Sequence, residues 1–166
     1  GVKIIGDGST PDQSVDAHGQ AEIESYNQKV WTPGATVPPS FNYNRRFIRY
    51  ADVLLMAAEA HNENGDATKA LGYLNQVRAR AREGNSNILP VITETGKVAL
   101  RDIIFRERRV ELALEDHRFW DLVRTNRAAT VLGPLGFITG KHELLPIPQT
   151  EMDLTRGLLE QNPGWQ

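Results

Sequence analysis

Cysteine is missing altogether from the 166 residues. Disulfides, thiol catalysis and cysteine-ligated zinc are therefore excluded, while the redox compartment stays open. Long apolar runs are missing too; none approaches the roughly 20 residues a helix needs to cross a bilayer. An excess of charge of either sign is absent: 19 basic against 21 acidic residues leave a net charge of −2. That balance argues against nucleic acid as the main partner. Histidine is scarce, and His18, His61, His117 and His142 include no pair at i, i+4 and no His-Glu-x-x-His pattern, so no metal site is expected. The acidic residues form no calcium-loop pattern. Gly6-Asp7-Gly8 has no following Lys-Ser/Thr, which speaks against a phosphate loop. No serine stands in a nucleophile elbow. The opening stretch has no basic region followed by an apolar one, so it is not read as a signal peptide. No cofactor is implied.

What is present is an ordinary globular composition, 40% hydrophobic and 24% charged. A chain of this size can bury roughly 70% of the surface it exposes when unfolded. Residues 1–46 are rich in Gly, Pro, Ser, Asp and Asn. They read as a loop-rich segment, with a short strand near Tyr26–Trp31. A structureless stretch of that length is more than a connector: either it carries function, as ligand-site loops, or it packs against a part outside this chain.

Residues 47–166 read as a helical domain. Tyr50, Val53, Leu54, Ala57 and His61 follow helical spacing, with Leu55 and Met56 flanking them, so this helix reads as central. Asn64-Gly65 is a left-handed terminator and Asp66 an N-cap. The next helix runs from about Ala67 to Arg82, with Ala67, Ala70, Leu71, Leu74, Val77 and Ala81 as its apolar stripe. The short turn between the two predicts an antiparallel hairpin of tetratricopeptide type. A third helix is expected from Lys97 to Glu115, with Leu100, Ile103, Ile104, Val110 and Leu114 on one face. A short helix from Arg118 to Arg127 follows, with Trp120 in the core. Pro146-Ile147-Pro148 forces an extended segment, Thr150–Asp153 opens a one-turn helix, and Trp165 packs down a terminal turn. The fold class is thus mainly α, a tetratricopeptide-like hairpin plus further helices, with long irregular loops.

Several charges fall on apolar faces. Glu107 and Glu111 lie inside the arc of the third helix, and Arg78 sits among Leu71, Leu74 and Ala81. A buried charge must be paired. Fourteen arginines against five lysines favour the bidentate partner suited to such burial. The favoured reading is a structural ion-pair network drawn from Arg49, Asp52, Glu59, Arg78, Glu107, Glu111, Arg118, Asp121 and Arg124. Two others stay open at this point: a carboxylate pair for acid–base chemistry, and an arginine cluster for phosphate. Among the aromatics, Trp31 stands beside a Pro/Gly loop in a polar region with Tyr26, Asn27, Tyr43 and Asn44. Those five are the candidate ligand-binding residues, because a flat ring ringed by hydrogen-bonding groups suits a sugar.

Several motifs occur in order along the chain. They are Arg49-Tyr50-Ala51-Asp52-Val53-Leu54-Leu55-Met56-Ala57-Ala58-Glu59-Ala60, Leu74-Asn75-Gln76-Val77-Arg78-Ala79-Arg80-Ala81 and Arg106-Glu107-Arg108-Arg109-Val110-Glu111-Leu112-Ala113. Glu115-Asp116-His117-Arg118-Phe119-Trp120-Asp121-Leu122-Val123-Arg124, Leu145-Pro146-Ile147-Pro148 and Gln161-Asn162-Pro163-Gly164 follow. Together they resemble the C-terminal part of the SusD/RagB family of surface-exposed, outer-membrane nutrient-binding lipoproteins. The resemblance implies a non-enzymatic role: capturing glycans or other nutrients and handing them to a SusC-like, TonB-dependent transporter. It implies an outer-membrane, cell-surface location through a lipid anchor that this chain does not carry. It transfers no ligand residue onto Trp31 or its neighbours. The alternatives are a tetratricopeptide-like protein-interaction module and a glycan-cleaving enzyme using Glu107 or Glu111.

Overall fold

The computed structural model describes residues 47–165. Six α-helices appear among them, and no strand: α1 Tyr50–Glu63, α2 Ala67–Ala81, α3 Lys97–Glu111, α4 Arg118–Arg124, α5 Ala128–Leu132 and α6 Gln149–Leu154. The chain divides into two compact units, residues 1–108 and 109–166.

In the first unit α1 and α2 form the expected hairpin. The hinge works as its residues require. Gly65 takes φ +80°, open to a residue without Cβ. The Asp66 carboxylate accepts the Lys69 N–H at 3.0 Å and satisfies one orphan donor of α2. The core holds Leu54, Leu55 and Ala58 of α1, Ala70, Leu74 and Val77 of α2, and Leu100 and Ile104 of α3.

The buried face of α1 is not the predicted stripe. Asp52, Leu54, Leu55, Ala58 and Asn62 are buried, whereas Tyr50 is 72% exposed and Val53 and Met56 are open to solvent. An apolar sequence all round the helix does not say which side packs; the positions of α2 and α3 do. The helix α3 is also shorter than its periodicity suggests. It ends at Glu111, and Leu114 and Asp116 take left-handed φ values of +63°. Val110 and Leu114, expected on the buried face, are 67% and 70% exposed. With both so open to solvent, continuing the helix would gain little burial from them.

The second unit is built of short elements around Leu112, Leu122 and Ala128, all buried. Helix α4 stops at Arg124, and Asn126 turns the chain at φ +55° into α5, which the sequence does not announce. A 3₁₀ turn, Gly133–Leu135, follows α5. Trp120, expected in the core, is 53% exposed and lies edge-on to Phe119, ring centres 5.1 Å apart. On a helix of seven residues only one face meets a neighbour, and Leu122 takes it.

Candidate functional site

Two constellations carry the chemistry of the described residues. The first is a set of polar clamps in the first unit. Arg108 Nη1 donates to Asp52 Oδ1 at 2.8 Å, with both side chains about 5% exposed. Arg78 Nη1 donates to Glu107, with both side chains nearly buried. At the far end of α1, Arg101 donates to both carboxylate oxygens of Glu63, and the Lys97 ammonium donates to the Glu63 carbonyl at 2.7 Å. The Asn62 amide donates to the Lys97 carbonyl at 2.9 Å. These contacts run in opposite directions along α1 and α3, so the two helices are antiparallel.

The charge environment follows. The Arg101 guanidinium, bonded to Glu63, holds that carboxyl down at about 2 and is itself pushed up in return. The Lys69 backbone N–H, then its ammonium, lowers Asp66. An acid held ionised in this way is a poor proton donor at neutral pH.

Side chains also pin the extended loop between α2 and α3. The Asn75 amide donates to the Ile92 carbonyl and accepts the Ile92 N–H, each at 2.9 Å. This reproduces one rung of a sheet without a second strand. Arg78 Nε and Nη2 donate to the Pro90 carbonyl, and one turn later Arg82 Nε donates to that of Leu89 at 2.7 Å.

The second constellation is an aromatic pocket within the second unit. It is an open hollow of about 380 Å³ lined by Phe119, Leu132, Leu135, Gly136, Phe137, His142, Leu145 and Trp165. Phe137 meets His142 edge to face at 5.6 Å, and His142 leans on Trp165 at 5.7 Å. The Trp165 indole N–H is shared between the carbonyls of Lys141 and Leu144, at 3.1 and 3.0 Å. The Lys141 ammonium sits 4.4 Å from the indole centre. Gly164 makes this closure possible: its φ is +78°, and a Cβ there would meet the Lys141 side chain at 2.9 Å. The tail is tied down by Gln161, whose amide pairs both ways with the Ile147 backbone at 2.7 and 2.9 Å, as Asn75 does with Ile92. Asn162 adds a bond to the Leu145 carbonyl at 2.6 Å.

The sequence-derived candidates fall as follows. Trp31, Tyr26, Asn27, Tyr43 and Asn44 lie outside the described residues. Of the charges, Asp52, Arg78 and Glu107 sit in the clamps, and Arg124 donates to Asp121 at 2.8 Å. Arg49, Glu59 and Glu111 each have an interaction partner. Arg118 is placed otherwise. It has no salt bridge among the described residues, and burial, then Arg109 and Arg127, push its guanidinium down, with Asp121 opposing. Sequence reasoning overlooked Arg108, Asn62 and the aromatic pocket. The i, i+4 run Leu100, Ile104, Arg108 carried the signal for the first. Among the described residues, no group of three or more His, Asp or Glu could hold a metal ion.

Residues 23–136 match the model of the SusD family. The chain belongs to the SusD family. It is 46% identical over 104 residues to SusD-like protein P38 of Formosa agariphila, covering 60% of this chain and 20% of that protein. It is 39% identical over 127 residues to SusD-like protein P2 of the same organism, covering 71% and 25%. Among solved structures it resembles a laminarin-binding SusD-like protein, with TM-score 0.57, 45% identity and coverage of 71% of this chain and 22% of the other. It also resembles surface glycan-binding protein A of Bacteroides thetaiotaomicron, with TM-score 0.59, 36% identity and coverage of 74% and 25%. The chain thus spans about a quarter or less of the length of these relatives. For a SusD-family chain the clamps have a plain meaning: the family motifs at 49–60, 74–81, 106–113 and 161–164 contain residues that hold helices and loops together.

Proposed function

We propose that this SusD-family chain takes part in non-catalytic binding of glycans or other nutrients at the bacterial cell surface, and in their delivery to a SusC-like, TonB-dependent transporter. The observation that carries the reading is its 45% identity to a laminarin-binding SusD-like protein. The similarity to a surface glycan-binding protein supports it. An outer-membrane location through a lipid anchor in the full-length protein belongs to the same reading. The absence of catalysis is supported by Glu107, which is engaged by Arg78 and so lacks the freedom to shuttle a proton.

In this reading residues 1–46 supply ligand loops, and Trp31 is the stacking platform, aided by Tyr26, Asn27, Tyr43 and Asn44. Calorimetry of the folded chain against a panel of soluble glycans, laminarin included, tests it. Binding to at least one is expected, and a flat response across the panel would favour the protein-interaction module instead. Trp31→Ala should weaken that binding roughly fivefold, the value of about 1 kcal/mol for an aromatic contact, and leave the melting temperature nearly unchanged. A variant that unfolds would place Trp31 in the core.

A further inference from the structure

We propose that the aromatic pocket of the second unit accepts one sugar residue carrying a methyl group, as a 6-deoxy carbon or an O-methyl. The proposal rests on the glycan-binding reading above and assigns a second, separate contact to it. The pocket's chemistry selects this ligand. Phe119, Phe137 and Trp165 present ring surface, and Leu132, Leu135 and Leu145 present alkyl surface. Such walls suit the C–H face of a pyranose and disfavour a ring with every carbon hydroxylated, because hydroxyls sequestered without partners are costly. Polar capacity in the pocket is nearly used up. The Trp165 indole N–H is already shared by two carbonyls. His142 Nδ1 accepts the Ile138 N–H at 3.0 Å, so the neutral ring carries its proton on Nε2, which has no partner among the described residues. Among the lining side chains one donor is therefore left, enough to orient one ring or substituent oxygen, with the Lys141 ammonium beside the Trp165 ring at the rim. The hollow, about 380 Å³, is roomy enough for a single sugar residue.

The test compares three oligosaccharides of matched linkage on the full chain: unsubstituted hexose, 6-deoxyhexose and O-methyl hexose. Calorimetry should show a methyl-bearing probe binding about fourfold tighter than the unsubstituted one, the value of burying one methyl group that the hexose does not present. Whichever methyl probe keeps the gain identifies the source of the group. The Trp165 indole N–H resonance should shift on binding. Leu135→Trp fills the hollow from an exposed position, so the fold is retained; it should abolish the gain and bring the methyl-bearing probes to the affinity of the unsubstituted one. Equal affinities for all three probes, or a preference that survives Leu135→Trp, would overturn the pocket assignment and leave glycan binding standing. No binding of any probe, laminarin included, by the folded chain would overturn both.

Discussion

Asp52 and Arg108 show how a single pair orders helix packing. Both side chains are about 5% exposed and bonded at 2.8 Å. A carboxylate stranded there has no water to turn to. Arg108→Ala should therefore destabilise the fold by about 3–5 kcal/mol, read from urea denaturation. Replacing both members together, as Asp52→Leu with Arg108→Met, should recover most of that loss, because the cost lies in the orphaned charge. A single variant with unchanged stability would show that the pair is solvated and unimportant. Asn75 tells a similar story without net charge: Asn75→Ala leaves the Ile92 N–H and C=O without their partners. A loss of about 1–3 kcal/mol is expected, together with faster amide exchange at Ile92.

At the scale of elements, the hinge between α1 and α2 is local in origin. Gly65 supplies the left-handed residue and Asp66 the cap. Asp66→Ala should weaken the start of α2, visible as a lower denaturation midpoint with the slope unchanged. Asp66→Ser should restore most of that loss; failure of Ser to do so would mean that the carboxylate acts through its charge near Lys69 and His61 rather than through the cap. The end of α3 is different. Its apolar spacing continues to Leu114, but the helix stops at Glu111. Periodicity describes what a helix could bury; only neighbours decide whether it is buried.

For the whole molecule, acid is an informative probe. The Arg101 guanidinium holds the Glu63 carboxyl at about 2, against an ordinary value of 4.5. The folded protein thus binds this proton less readily than the unfolded chain. The corresponding stabilisation is present above about pH 4.5 and is lost as pH falls towards 2. Melting temperatures followed from pH 6 to about pH 2 should fall less steeply in Glu63→Gln than in the parent, and parallel curves would show that the pair adds nothing. The effect should be modest, because Glu63 is partly exposed and water screens the pair.

The amino-acid order by itself determined the helical class, the α1–α2 hinge and the family, since caps, left-handed turns and apolar spacing act over neighbouring residues. It also marked Glu107 and Arg78 as charges needing company, because their positions on an apolar stripe are visible without coordinates. It could not name Arg108 as the partner of Asp52, which lies 56 residues away. Nor could it show that Trp120 is exposed, that Tyr50 faces outward, or that Phe119, Phe137, His142 and Trp165 meet around one hollow. Those are matters of which surfaces come together, and burial is a property of the assembled tertiary structure that no single segment carries.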